Sequence, residues 1–190
     1  MSKKSCVLIL VILALVLGLA GQAWAKPTSQ KPVMNYHARF VALNGAAVTG
    51  LADLQVKRTT LNVHMEIRGL TAGKYHAQSI MGFVDGSRAL VPPLAADVNN
   101  DGFIDFDEIA PYCGSVLMPL TPYPQAPRHG SIVFNRTFSL GAQGSLDLAS
   151  VPLDRRVIVL QGMMVSPPYV NPFYWPEIPV ACAQIYRLNN

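Results

Sequence analysis

Histidine and cysteine are scarce in this 190-residue chain, and that scarcity removes much metal and nucleophile chemistry at once. The four histidines are His37, His64, His76 and His129, with none between His76 and His129. Redox copper held by several imidazoles around one ion is hard to assemble from so few. No Gly-x-Ser-x-Gly, His-Glu-x-x-His or phosphate-cradling glycine loop is present, so the nucleophile-elbow, zincin and P-loop chemistries have no foothold. Asp53, Glu66, Asp85, Asp147, Asp154 and Glu177 are scattered, and their spacing does not tell whether any two converge. Basic residues exceed acidic ones by 15 to 11, yet no basic run is longer than Lys57-Arg58 or Arg155-Arg156, which argues against nucleic acid as a partner.

The beginning of the chain differs in composition. Lys3 and Lys4 precede an apolar run from Cys6 to Ala20, and Ala23-Trp24-Ala25 places small residues at both recognition positions of a signal-peptidase site. Residues 1–25 therefore read as a secretory signal peptide, and the run is short for a membrane span. Cleavage after Ala25 leaves residues 26–190 as one domain with no remaining span, exported to the periplasm or secreted. The only cysteines left are then Cys113 and Cys182, an even pair in an oxidising compartment, and a disulfide between them is expected.

From Met34 onward the hydrophobic period is two. It is cleanest in Thr60-Leu61-Asn62-Val63-His64-Met65-Glu66-Ile67-Arg68, where odd positions are apolar and even ones polar. Similar alternation covers 36–43, 52–58, 131–140, 157–165 and 180–188, punctuated by Asn44-Gly45, Gly69 to Gly73 and Gly141 to Gly144. This predicts an all-β domain of seven or eight short antiparallel strands, a sandwich or flattened barrel. Residues 86–130 contain no convincing strand and form a connection longer than compact domains normally carry. A second irregular stretch, Ser166 to Glu177, is rich in proline and aromatic residues. It could present a surface to a protein or glycan, or cover one end of its own sheet.

The long connection contains Asp97-Val98-Asn99-Asn100-Asp101-Gly102-Phe103-Ile104-Asp105-Phe106-Asp107-Glu108, with the spacing of an EF-hand calcium loop. Asp97, Asn99, Asp101 and Asp105 would offer side-chain oxygens, Phe103 its carbonyl, and Glu108 two oxygens, while Gly102 permits the sharp turn. Five of the chain's 11 carboxylates lie in these 12 residues, a crowding that is repulsive without a cation. Pro92, Pro93 and Pro111 limit the flanking helices to about one turn, over 105–110. The paired helices of a calcium sensor are thus missing, and Ca²⁺ would act here as a structural clip.

Gly69-Leu70-Thr71-Ala72-Gly73-Lys74-Tyr75-His76-Ala77-Gln78-Ser79-Ile80-Met81-Gly82 resembles the Gly-Leu-Thr-x-Gly to His-x-His segment of Cu/Zn superoxide dismutases, and more closely their bacterial relatives of the CHRD type. Arg136-Thr137-Phe138, Val159-Leu160-Gln161-Gly162-Met163 and Pro179-Val180-Ala181-Cys182-Ala183-Gln184-Ile185 extend the likeness, so that it spans roughly 36–186. It implies a Greek-key antiparallel β-sandwich with the calcium loop as an insertion, a bonded cysteine at Cys182, and a structural role for His76. The copper histidines of that pattern fall on Ser79, Met81 and Gln161, so the resemblance implies no dismutase activity. The expected function is that of an exported, non-enzymatic, calcium-binding β-sandwich. Two alternatives stand beside it: a Cu(I) protein using Met81, Met163 or Met164 with His76, and an adhesion or partner-binding module presenting residues 166–177.

Overall fold

Residues that alternate apolar and polar turn successive side chains to opposite faces of a strand. In the computed structural model, which describes residues 33–141, 152–166 and 171–189, eight strands form, six of them over the segments named for their alternation. They are β1 (Met34–Ala42), β2 (Thr49–Lys57), β3 (Thr60–Arg68), β4 (Gln78–Gly82), β5 (Ser115–Pro119), β6 (Ile132–Ser139), β7 (Val157–Val165) and β8 (Phe173–Arg187). All pair antiparallel in one sheet with the order β5-β4-β7-β8-β1-β2-β3-β6. The predicted leader (residues 1–25), most of the Gly141–Gly144 turn, Asp147 and residues 167–170 of the proline-aromatic stretch lie outside the described residues.

One core cluster contains Leu61 of β3 and Phe134 of β6 together with Ile80 of β4 and Met118 of β5. These strands stand at opposite ends of the sheet order, so the sheet curls over and encloses its own inner face. Each aliphatic side chain so enclosed contributes about 1.5–3 kcal/mol relative to exposure. A second cluster lies on the other face of β4, β7 and β8. Met81, Val157, Val159 and Cys182 pack there against Ala89, Ala96, Ile104, Ile109 and Cys113, residues of the connection after β4.

The connection is more ordered than its sequence suggests. Helix α1 (Phe106–Cys113) runs past the one turn expected, with Pro111 inside it, and β5 follows although no strand is predicted there. Pro111 removes only the N–H that would reach Asp107 O, a small loss beside the complete burial of Ile109 and Cys113. Gly114 closes the helix with φ 74°, its N–H donating to Ala110 O at 2.9 Å, and a Cβ there would collide with Gly82 O. Strand β4 escapes the period-two pattern because all five of its residues are buried. Residues 173–177 are likewise not irregular: Phe173, Tyr174 and Trp175 belong to the first third of β8.

Candidate metal loop and the adjoining cleft

The loop 97–108 is built by its own side chains. Asp97 Oδ2 accepts from Gly102 N at 3.1 Å, Asn99 Oδ1 from Asp101 N at 2.9 Å, and Asp101 Oδ1 from Phe103 N at 2.8 Å. Asn100 and Gly102 take the left-handed conformation, with φ 59° and 90°, and so allow the reversal. Asp105 caps α1, its Oδ1 accepting from Asp107 N at 2.8 Å and Glu108 N at 3.0 Å. Glu108 answers as the second half of a capping box, its Oε2 accepting from Asp105 N at 3.0 Å. Its other oxygen, Oε1, accepts from Val98 N at 2.9 Å and Asn99 N at 3.2 Å. The buried Glu108 carboxylate thus ties both ends of the loop together.

These residues fit an oxygen-loving cation in donor type and order. The clearest sign is Asp97 Oδ1, which is buried and has no hydrogen-bond partner among the described residues. A buried carboxylate oxygen without a partner is costly, and a cation at the first loop position would satisfy it. The carboxylates of Asp101, Asp105 and Glu108 are turned onto loop N–H groups, and no three His, Cys, Asp or Glu side chains among the described residues converge as a metal cluster. With Ca²⁺ bound, Asp97, Asn99, Asp101, Asp105 and Glu108 would supply side-chain oxygens and Phe103 its carbonyl.

Asn44 is the anchor that the sequence does not reveal. Its Oδ1 accepts from Ile104 N at 2.7 Å, and its Nδ2 donates to Ile104 O and Pro179 O, both at 2.9 Å. One side chain therefore fixes the middle of the loop to β8. In sequence Asn44-Gly45 reads only as a turn, and no local signal points to a partner 60 residues away.

Cys113 and Cys182 come together in the second cluster, but as free thiols; the expected bridge is not formed in this structure. The Cys113 thiol beside it, reinforced by burial, pushes the Cys182 thiol well above its usual range. Cys113 Sγ also donates to Leu90 O at 3.6 Å.

The positions that the dismutase likeness assigns to copper diverge. Met81 is wholly buried in the second cluster, while Ser79 and Gln161 line an open cleft. His76 is wholly buried, and both its ring nitrogens face backbone carbonyls, Gln161 O at 3.0 Å and Thr71 O at 3.1 Å. Neither nitrogen is open to a metal. Of the three methionines offered as alternative Cu(I) partners of His76, Met81 belongs to the second cluster, Met163 packs against the first, and Met164 is partly exposed on β7. Of the other histidines, His37 pairs with Asp53 at 2.8 Å and His64 approaches Glu66 at 3.4 Å, both on exposed strand faces.

The cleft, of about 460 Å³, receives Ser79 from β4, Gln161 from β7, Trp175 and Glu177 from β8, and Asp105 and Asp107 from the start of α1. Register shifts in the β7–β8 pairing flank Gln161 on both sides, a bulged arrangement that re-aims a side chain. Gln161 Nε2 donates to Glu177 O at 3.0 Å. Asp105 belongs to both the loop and the cleft, and Phe103 of the loop packs against Trp175 with ring centroids 6.3 Å apart. Behind the cleft Gly162, at φ 101°, lies where a Cβ would collide with Tyr174 and crowd His76. Burial pushes the Tyr174 phenol up to about 12, and its hydroxyl donates to Tyr75 O. The chain matches no known family, no curated protein and no solved structure.

Proposed function

We propose that this protein is an exported, calcium-stabilised β-sandwich of the superoxide dismutase-like, CHRD-type class that carries no catalytic centre. The observation that carries the calcium reading is the buried, unpartnered Asp97 Oδ1 at the first position of a loop whose other oxygens follow in EF-hand order. The Greek-key assignment is supported by β6 lying beside β3 rather than β5, with β4 beside β7, and by the shared core of the two sheet ends. The non-enzymatic reading is supported by Ser79, Met81 and Gln161 at the positions where the dismutase pattern has imidazoles. Neither a hydroxyl nor an amide replaces an imidazole for Cu(II), and Met81 has no exposed surface.

Calcium at about 100 times its dissociation constant should add about 2.7 kcal/mol to stability. The test is a metal inventory of the purified protein followed by melting with Ca²⁺ and with chelator. A clear upward shift with Ca²⁺, largely lost in Glu108→Gln, is the expected result. Superimposable curves for protein first shown to be metal-free would sink the calcium reading, and stoichiometric copper in the inventory would overturn the non-catalytic one.

A further inference from the structure

One side chain outside the loop, Asn44, grips the peptide group whose carbonyl is expected to meet the ion. The calcium reading takes Phe103 O as a ligand, and the Ile104 N–H on the same plane donates to Asn44 Oδ1 at 2.7 Å. In a trans peptide the N–H and C=O point in opposite directions, so holding the N–H toward Asn44 turns the Phe103 carbonyl away from it. The next peptide is held as well. Ile104 O accepts from Asn44 Nδ2 at 2.9 Å, and the Asp105 N–H on that plane donates to Glu108 Oε2 at 3.0 Å. Asn44 and the glutamate of the twelfth loop position thus hold opposite sides of one peptide group.

The latch has a firm base. Asn44 takes the left-handed conformation, φ 55°, in the turn after β1, and that turn is tied down by Leu43 N donating to Val180 O and Ala46 N to Leu43 O, both at 2.9 Å. Its chemistry requires an amide, because an aspartate would set an oxygen against two carbonyls, Ile104 O and Pro179 O. On the loop side, the Ile104 side chain is buried in the second core with Ile109 and Cys113. An ion held by the loop and a latch held by β8 therefore act on the same short stretch, residues 103–105.

We propose that Asn44 is a positioning residue of the calcium loop, and that ion binding and the docking of the loop on β8 strengthen each other through it. The proposal rests on the calcium reading above. Coupling between two binding events is reciprocal, so whatever factor the latch adds to calcium affinity, calcium adds to the latch. Calcium is titrated by calorimetry into purified protein stripped of metal, and amide exchange is measured with and without the ion. Asn44→Gly removes the side chain without straining a left-handed position, and it should bind calcium about 10–100-fold more weakly than the wild type, the usual cost of losing a partner that orients metal ligands. Ile185→Val, in the first core, should lower the melting temperature but leave calcium affinity as it is, which separates positioning from a general loss of stability. Calcium should also slow exchange at Leu43 and Ala46, outside the loop, beyond any change in β3, and should do so in the wild type but not in Asn44→Gly. The wild-type exchange measurement decides the matter even if the variant does not fold. Equal calcium affinity in wild type and Asn44→Gly, equal weakening in Ile185→Val, or wild-type exchange at Leu43 and Ala46 that ignores calcium would each overturn the latch and leave the calcium reading standing. A wild type that binds no calcium would overturn both.

Discussion

The two halves of the sheet obey different rules. In β1, β2, β3 and β6 burial alternates along the strand, as in Thr60–Arg68, where Leu61, Val63, Met65 and Ile67 are buried and their neighbours are not. In β4, in β7 from Val157 to Leu160, and in β8 from Ile178 to Ile185, burial is continuous. The difference comes from what lies on the second face: water over the first half, and the connection after β4 with α1 over the second. A period of two thus reports one wet face, and its absence in β4 reports a strand covered on both sides.

The comparison is broken most severely by placing a charge on the outward row of each half. Val159→Asp puts an unpaired carboxylate between β7 and the covering segment, where the side chain has no exposed surface. It should cost at least about 4 kcal/mol or prevent folding. Val133→Asp, on β6 at 70 % exposure, should change stability by no more than about 0.5 kcal/mol. Urea midpoints decide it, and equal losses in the two variants would mean that the halves are not covered differently.

A smaller effect concerns how the covering segment is held. Cys113 on α1 and Cys182 on β8 are the two free thiols that meet across this second core. Joining them closes about 70 residues and should stabilise by about 4 kcal/mol in the chain-entropy account, less whatever strain the bond introduces. Peptide mapping without reductant, on protein from its native compartment, should find one cross-linked peptide. Two free thiols there would refute the bridge. In reduced protein the raised Cys182 thiol should resist alkylation until the second core opens.

The smallest expected effect lies where the start of β8 meets His76. The Tyr174 phenol is raised from 10.0 to about 12 by burial, so the folded state keeps a proton that the unfolded chain gives up. Its contribution to stability is fully present below about pH 10 and is lost as pH rises through about 12. Melting temperature should therefore decline over that window, and Tyr174→Phe should decline less. Identical alkaline slopes for the two proteins would remove Tyr174 from the account.

The sequence by itself determined the β class, the strands with one wet face, and the order of oxygen donors from Asp97 to Glu108. Each is a local property: a side-chain period set by the pleat, or a ligand spacing set by one tight turn around Gly102. Only the tertiary structure decided that β4 and β5 are strands, that α1 outlasts Pro111, and that Asn44 latches Ile104 to β8. It alone also gathered Ser79, Asp107, Gln161 and Glu177 around one cleft. Burial on a second face erases the alternation that would announce a strand, and the packing of Ile109 and Cys113 outweighs the hydrogen bond a proline removes. Bringing residues as far apart as 79 and 177 to one cleft depends on how the sheet curls, and no local pattern of residues encodes that.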